Sequence, residues 1–227
     1  MKILIVNPNT TVSMTTKVVD VARAVARPTT EIIGETSKNG PASIQGYLDA
    51  AMCVPGLLEA VQRHPDVDAI VIACFDDTGL DAVRSLVTVP VIGIGEAAFH
   101  AASLLSNKFS VITTLSRSVP GLETNLMKYG LATKCVRVRA TDIPVLKLEE
   151  QDQSSMDIIR DEIHQALTVD HAEAIVLGCA GMANLMKALS DEFDCPVIDG
   201  VVTAVGFAEA LVSCNLKTSK RGAYLVD

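Results

Sequence analysis

The sequence of this chain repeats itself, and the repeat constrains the fold more than any other feature. The apolar segment at residues 2–7 resembles the segment at 108–113, which lies 106 residues later. Residues 68–74 match residues 173–179 at an offset of 105, and each copy ends in a cysteine. Residues 90–93 match residues 196–199, again 106 residues apart. Three segments that recur in one order at nearly one spacing indicate two copies of one structural unit.

Within each copy, short apolar runs rich in β-branched residues alternate with longer stretches of helical periodicity. This alternation is typical of parallel sheets whose strands are covered by helices on both faces. The predicted strands are residues 3–6, 31–33, 69–73, 91–92, 109–113, 135–138, 174–177 and 197–198. The predicted helices are residues 14–26, 45–61, 81–86, 97–105, 122–129, 156–167, 183–188 and 203–212.

These patterns predict an α/β fold of two lobes related by a pseudo-twofold axis, each lobe a mostly parallel sheet flanked by helices. We expect residues 1–96 and 204–227 to form the first lobe, with the C-terminal helix folding back on it, and residues 97–203 to form the second. Ligands of such sheets bind at the carboxyl ends of the strands. The site is therefore expected in the cleft between the lobes, where Cys74 and Cys179 end equivalent strands.

Composition argues against several classes of partner. The chain has 227 residues, a formal net charge of −8 and no tryptophan, so it lacks the basic surface and stacking residues typical of nucleic-acid binding. No segment approaches the ~18 uncharged apolar residues of a membrane span, and the N-terminal apolar run is too short for a secretory signal. We therefore expect a cytoplasmic protein with reduced thiols and neither a nucleic-acid nor a membrane partner.

The six cysteines and four histidines do not form a metal-binding pattern. No two cysteines are spaced as Cys-x-x-Cys and no two histidines as i, i+4, the spacings of zinc and redox motifs. We expect no metal site. Cys53, Cys135, Cys195 and Cys214 lie outside the equivalent positions of the repeat and are interpreted as packing residues.

Two thiols on opposite sides of one cleft can invert a carbon stereocentre. One thiolate removes a proton from one face of the substrate, and the other thiol returns a proton to the opposite face of the planar enolate. Because Cys74 and Cys179 each follow a strand and precede a helix, we expect the helix dipole to lower their pKa below about 8.5. The pattern alone leaves open that both are buried packing residues.

Polar residues near the predicted cleft have a structural and a binding interpretation. Asn7 and Asn9 follow the first strand, and Thr113 and Thr114 follow its equivalent in the second lobe. All four are candidates either for capping the next helix or for binding substrate.

Residues beside the two cysteines have similar alternatives. Asp76 and Asp77 are interpreted as helix-capping carboxylates, and Ser43 as a turn or N-cap residue on a loop. Main-chain N–H groups beside the thiols would contribute donors for an enolate oxygen; they belong to Phe75, Ala180 and Gly181.

Two motifs carry a resemblance to a known family: Cys74 followed by Phe-Asp-Asp, and Cys179 followed by Ala-Gly-Met. With them the chain resembles the aspartate/glutamate/hydantoin racemase superfamily, and within it the hydantoin and allantoin racemases. The matching segments cover nearly the whole chain; they are residues 5–9, 72–77, 90–94, 109–115, 142–146, 176–182 and 196–201.

The resemblance implies a cofactor-independent isomerase in which Cys74 and Cys179 are the two acid/base catalysts. The implied substrate is a five-membered cyclic ureide inverted at C5, whose hydrogen is acidified by the adjacent ring carbonyl. The family's substrate-binding positions correspond here to Asn9, Ser43, Phe75, Thr113, Thr114, Gly178, Ala180 and Gly181. Family members are homo-oligomers, so we expect the same of this chain.

The chain departs from the family at a few positions. Thr78 and Ser116 stand where relatives usually have proline, so two loops lining the cleft lose a fixed φ. Asp76 and Ala180 stand where allantoin racemases have glycine, which favours 5-monosubstituted hydantoins as substrates. Allantoin is the alternative, because its ureido arm needs hydrogen-bonding partners that the sequence does not locate.

Three further hypotheses compete with this one. A different isomerase of the same superfamily would use the first cysteine as a nucleophile. A decarboxylase on this scaffold keeps only the second cysteine, so Cys74 argues against it. A non-catalytic two-lobed binding protein would bury both cysteines as packing residues and bind ligand equally well without them.

Overall fold

The structure, a computed structural model, describes residues 1–149 and 152–226. Its strands are β1 (Lys2–Asn7), β2 (Glu31–Thr36), β3 (Ala69–Ile72), β4 (Val91–Gly93), β5 (Phe109–Thr113), β6 (Cys135–Ala140), β7 (Ala174–Gly178) and β8 (Val197–Asp199). Its α-helices are α1 (Val12–Val25), α2 (Tyr47–Gln62), α3 (Leu80–Leu86), α4 (Ile94–Leu105), α5 (Val119–Lys128), α6 (Gln153–Thr168), α7 (Met186–Phe193) and α8 (Gly200–Ser213). Short 3-10 helices cover Ser116–Ser118, Val145–Glu149, Ala180–Leu185 and Gly222–Tyr224.

The strands form two four-stranded parallel sheets with the same internal order. The first sheet runs β2-β1-β3-β4 and the second β6-β5-β7-β8. Every strand pair is parallel, and β1 pairs with β3 as β5 pairs with β7, beginning at Ile3 with Ala69 and at Phe109 with Ala174. The predicted α/β fold of two similar parallel sheets flanked by helices is confirmed.

Burial explains why these segments form strands. All residues of β3 and of β7 are buried, because helices cover both faces of each sheet. Within the described part of the chain, none of the helices is long and apolar enough to span a membrane.

The helix predicted over residues 183–188 differs from the structure in type, whereas the others differ by a few residues at their ends. Residues 183–188 were predicted as a single helix, but they span the end of the 3-10 helix Ala180–Leu185 and the start of α7. Met182 and Leu185 are both buried and lie three residues apart, which matches the three-residue turn of a 3-10 helix. The 3-10 segment follows directly on Cys179 and packs its apolar residues beneath the cleft.

Two helices cross from one lobe to the other. The helix α4 leaves β4 of the first sheet and packs against β7 and β8 of the second, while α8 leaves β8 and packs against β3 and β4 of the first. The two helices also pack against each other. One cluster of buried side chains consequently extends through both lobes, from Ile3 and Val71 to Val111 and Val176. The predicted lobe boundaries fall inside α4 and α8, and they stay a prediction.

Candidate active site

Two thiols lie at equivalent positions of the two sheets. One residue, Ala73, separates Cys74 from the end of β3, and Cys179 follows β7 directly, so both cysteines lie at the carboxyl ends of central strands. The two side chains line one cavity between the lobes. The full lining is Asn9, Met14, Ile44, Ala73, Cys74, Phe75, Asp76, Thr113, Thr114, Ser118, Val145, Gly178, Cys179 and Ala180.

Each thiol has a hydrogen-bonding neighbour in its own lobe. Cys179 is buried, and its Sγ accepts the N–H of Gly181 at 3.4 Å. Cys74 is half-buried, and its Sγ lies 3.7 Å from the Oγ1 of Thr78. The two sulfur atoms are thus held by short turns that leave them directed into the shared cavity.

Burial reverses the expected direction of the thiol pKa shifts. Removal from water raises the pKa of Cys74 well above its usual value, and the nearby Asp76 carboxylate adds to this increase. Burial raises the pKa of Cys179 to about 11, although the Gly181 N–H lowers it. The prediction that a helix dipole lowers both pKa values is wrong, because desolvation of a thiolate outweighs the few N–H groups that face it.

The two neighbouring aspartates have different roles. Asp77 caps α4 from outside the helix, since its carboxylate accepts the N–H groups of Gly95 at 2.9 Å and Glu96 at 2.7 Å. It also accepts the hydroxyl of Tyr129 at 2.8 Å. Its interpretation as a helix cap is therefore confirmed.

The same interpretation of Asp76 is wrong. Its carboxylate lines the cavity and accepts no hydrogen bond from the residues that the structure describes. Its main-chain carbonyl accepts the Asn125 side chain at 2.9 Å, which fixes the loop from the opposite lobe. Burial raises the pKa of the Asp76 carboxyl to about 6.

The two asparagines organise the loop after β1 rather than capping α1. Asn7 donates to the side chains of Asn9 at 2.9 Å and Thr15 at 3.0 Å. The Oδ1 of Asn9 accepts the N–H of Thr11 at 2.9 Å, while its Nδ2 has the thioether of Met14 as a partner at 3.6 Å. A thioether is a weak acceptor, so the Asn9 amide remains a donor for a ligand in the cavity.

Thr113 ends β5 and Thr114 follows it, and their hydroxyl groups differ in hydrogen bonding. The Thr113 hydroxyl donates to the carbonyl of Gly178 at 3.1 Å, which joins β5 to β7. A Cβ at Gly178 would lie 3.0 Å from the Ile112 carbonyl oxygen, so a side chain there would have to push β5 and β7 apart by a few tenths of an ångström. The Thr114 hydroxyl finds no hydrogen-bond partner among the described residues and lines the cavity.

The remaining predicted residues lie in or beside the cavity. Phe75 and Ala180 line it. Gly181 is not part of the lining, but its N–H reaches the Cys179 sulfur. Ser43 does not line the cavity either: its hydroxyl accepts the Gln45 side chain at 2.6 Å, and its neighbour Ile44 takes the lining position.

Hydroxyl groups form hydrogen bonds in the two loops where the resemblance implies a proline. Ser116 donates its N–H and its hydroxyl to Asp142 at 2.8 and 2.7 Å. Thr78 is buried beside the Cys74 sulfur. Both positions thus form side-chain hydrogen bonds that a proline could not form.

Sequence reasoning missed part of the lining. Val145 belongs to the segment 142–146 that carries the resemblance, so a signal for it existed. Met14, Ile44 and Ser118 gave none, because they come from α1, a loop and a 3-10 helix that only the tertiary fold brings to the thiols.

The arrangement suits proton transfer to and from a neutral polar ligand. Two thiols line the cavity from opposite lobes, and the uncharged donors of Asn9 and Thr114 accompany them. Over residues 1–149 and 152–226, no group of three or more His, Cys, Asp or Glu side chains is placed to hold a metal ion.

Comparison with known proteins identifies the family of this chain. The sequence model of the Asp/Glu/Hydantoin racemase family matches residues 3–208. A hydantoin racemase of Rhizobium meliloti is 47% identical over 226 residues, which cover 99% of this chain and 94% of that protein. A hydantoin racemase of Pseudomonas sp. (strain NS671) is 42% identical over 226 residues, or 99% of this chain and 91% of that protein.

A solved structure superposes closely on this chain. An allantoin racemase from Klebsiella pneumoniae superposes with a TM-score of 0.97 at 42% identity, covering 100% of this chain and 94% of the other. The family model matches residues 3–208, and the relatives and the solved structure match 99% or more of the chain. This chain belongs to the Asp/Glu/Hydantoin racemase family and is an isomerase.

Proposed function

We propose that this racemase inverts C5 of 5-monosubstituted hydantoins without a cofactor, using Cys74 and Cys179 as acid/base catalysts on the two faces of the ring. The observation that carries the proposal is the placement of both thiols. They end equivalent strands of two similar sheets and line one cavity from opposite lobes.

The reaction needs one thiolate and one thiol at a time. The thiolate takes the C5 proton, so the C5–H bond breaks, an S–H bond forms and the electron pair moves to the neighbouring carbonyl oxygen as an enolate. The opposite thiol then gives its proton to the other face of C5 and becomes the thiolate. The enantiomer formed is the substrate of the reverse reaction, in which the two thiols exchange roles.

Burial makes the two thiolates stronger bases. Because their pKa values are raised, the thiolates of Cys74 and Cys179 are stronger bases than an exposed cysteine, which narrows the gap to a weakly acidic carbon. The Thr114 hydroxyl and the Asn9 amide are donors for the enolate oxygen. Donors already in place where charge develops stabilise a transition state more than water does.

Allantoin is the second candidate substrate, since the allantoin racemase from Klebsiella pneumoniae shares the fold at 42% identity. Allantoin is a hydantoin with a ureido group on C5, so the same two thiols would act on it. A homo-oligomeric state and a cytoplasmic location accompany the proposal as predictions; the first rests on the resemblance and the second on composition.

The test is deuterium exchange followed together with optical rotation. One enantiomer of 5-methylhydantoin, and separately of allantoin, is incubated in deuterated buffer with wild type, Cys74→Ser and Cys179→Ser. We expect wild type to lose rotation as deuterium enters C5, and each variant to lose racemisation.

A variant that keeps one thiol can still exchange one enantiomer, which identifies the face that each thiol serves. Racemisation at the wild-type rate in either variant would contradict the two-thiol mechanism. Absence of exchange above the buffer rate for both compounds would contradict the substrate class.

A further inference from the structure

A second pocket adjoins the thiol cavity on the side away from the strands. It has a volume of about 250 Å³, whereas the cavity holding the thiols has about 40 Å³. Asp76 and Ser118 line both, so the two cavities adjoin at these residues, which we call the neck. A group attached to an atom held between the thiols therefore finds room in the second pocket.

The walls of this pocket come from both lobes. Tyr47, at the start of α2, faces Gly121 on α5: a Cβ at Gly121 would lie 3.9 Å from the Tyr47 ring. The Arg117 guanidinium donates to the Gln45 side chain at 2.7 Å across the same mouth. The Tyr47 side chain is 70% exposed, so its ring can gain apolar contact with a ligand without leaving another packing site.

The charges of the pocket are unevenly distributed. The Asp76 carboxylate at the neck is half-buried and accepts no hydrogen bond from the described part of the chain. Arg117 is exposed at the mouth, where water screens its charge, and is hydrogen-bonded to Gln45. A ligand group passing the neck thus meets a negative charge that no neighbouring cation neutralises. The charge is retained at neutral pH, since burial raises the pKa of this carboxyl only to about 6.

We propose that this pocket is the subsite for the substituent on C5, bounded by Tyr47 and Gly121, and that Asp76 at its neck disfavours anionic substituents. The pocket accepts apolar and neutral polar groups. The inference rests on the proposed function, because it takes C5 to lie between Cys74 and Cys179.

Gly121→Leu tests the location of the subsite. Gly121 lies in a helix, and an added Cβ meets the Tyr47 ring at ordinary contact distance, so the substitution adds bulk at the pocket wall with no clash at its Cβ. We expect kcat/KM to fall about tenfold or more for 5-benzylhydantoin and to change less than about twofold for 5-methylhydantoin.

Gly206→Leu is the matched control. Gly206 lies in α8, is exposed, and would place its Cβ within 4 Å of nothing. This variant should leave kcat/KM unchanged for both 5-benzylhydantoin and 5-methylhydantoin. Equal losses for both substrates in Gly121→Leu, or no loss for either, would overturn the location of the subsite.

Asp76→Asn tests the charge preference. The substrates are 5-(2-carboxyethyl)hydantoin and 5-(2-carbamoylethyl)hydantoin, which match in size and differ in charge. We expect wild type to favour the amide, and the variant to raise the ratio of kcat/KM for acid over amide by about tenfold, as removal of one nearby charge in a partly buried site implies. The ratio cancels any effect of Asp76 on the thiols, because both substrates use the same thiols.

Asp20→Asn, on the exposed face of α1, removes an equal charge elsewhere and should leave the ratio unchanged. An unchanged ratio in Asp76→Asn would refute the role of Asp76. Racemisation of 5-methylhydantoin by wild type separates the two levels of the proposal. If wild type does not racemise 5-methylhydantoin, both the proposed function and the subsite are contradicted. If it does, but Gly121→Leu and Asp76→Asn leave the ratios of kcat/KM between their paired substrates at wild-type values, only the subsite is contradicted.

Discussion

The close approach of α4 and α8 predicts a large effect from a single methyl group. Gly200 begins α8, and a Cβ added there would lie 2.3 Å from the Ile94 carbonyl oxygen and 2.9 Å from its carbonyl carbon. Both residues are buried. The obstacle is backbone at the start of another helix, so no side chain can rotate out of the way.

The size of the effect follows from the distances. A carbon and a carbonyl oxygen normally come no closer than about 3.3 Å, so Gly200→Ala must separate the two helix starts by roughly 1 Å. Overpacking of this kind costs about 1–3 kcal/mol. The gain in helix propensity from glycine to alanine is at most ~1 kcal/mol and small at a first helical position. We expect a net loss of about 2 kcal/mol in the free energy of unfolding.

The assay is urea unfolding of Gly200→Ala beside Gly206→Ala in the same helix. A Cβ at Gly206 meets nothing within 4 Å, so this variant should gain about 0.5–1 kcal/mol from propensity alone. The two substitutions are chemically identical and should shift the midpoint in opposite directions. A Gly200→Ala protein as stable as wild type, with Gly206→Ala stabilised as expected, would refute the packing of α4 against α8 described above.

Two further predictions concern the site and the loop that supports it. Burial places the pKa of Cys179 at about 11 and that of Cys74 well above its usual value, so the fraction of thiolate rises with pH. After correction for the uncatalysed rate, kcat/KM for racemisation should therefore rise about tenfold per pH unit between about pH 7 and 9. A plateau below pH 8 would contradict the raised pKa values. Tyr129→Phe removes the hydroxyl that donates to buried Asp77 at 2.8 Å and should destabilise the protein by about 1.5–3 kcal/mol in urea unfolding. Tyr224→Phe, whose hydroxyl donates to the half-exposed Asp81 at 2.9 Å, should cost about 1 kcal/mol or less, and equal losses in the two variants would argue against a special role of the buried contact.

The repeat made the sheets and the two thiols predictable. Short β-branched apolar runs that alternate with helical stretches are typical of buried parallel strands, and a cysteine at the end of such a run is expected at the sheet's carboxyl edge. The roles of Asp76 and Asp77 could not be separated in this way. Asp77 adopts a positive φ of 51°, which turns adjacent carboxylates in different directions, one toward α4 and one toward the cavity. Propensity does not specify that turn.

The thiol pKa values and the second pocket depended on tertiary structure. A helix dipole is visible in a sequence pattern, but the loss of water around Cys179 is known only once both lobes close over it. Likewise, Tyr47 and Gly121 are 74 positions apart in the sequence and carry no shared motif. They meet because α2 and α5 begin on opposite sides of the same cleft.

The crossing of α4 and α8 is the geometry of a domain swap contained in one chain. If each repeat were a separate polypeptide, two copies would form a dimer by exchanging their last helix. Each copy would then supply one thiol to a shared site. Fusion turns that dimer into a single chain without changing its contacts. It also frees the two halves to diverge, so that a position such as Asp76 can differ from its counterpart, Gly181, while the paired cysteines remain alike.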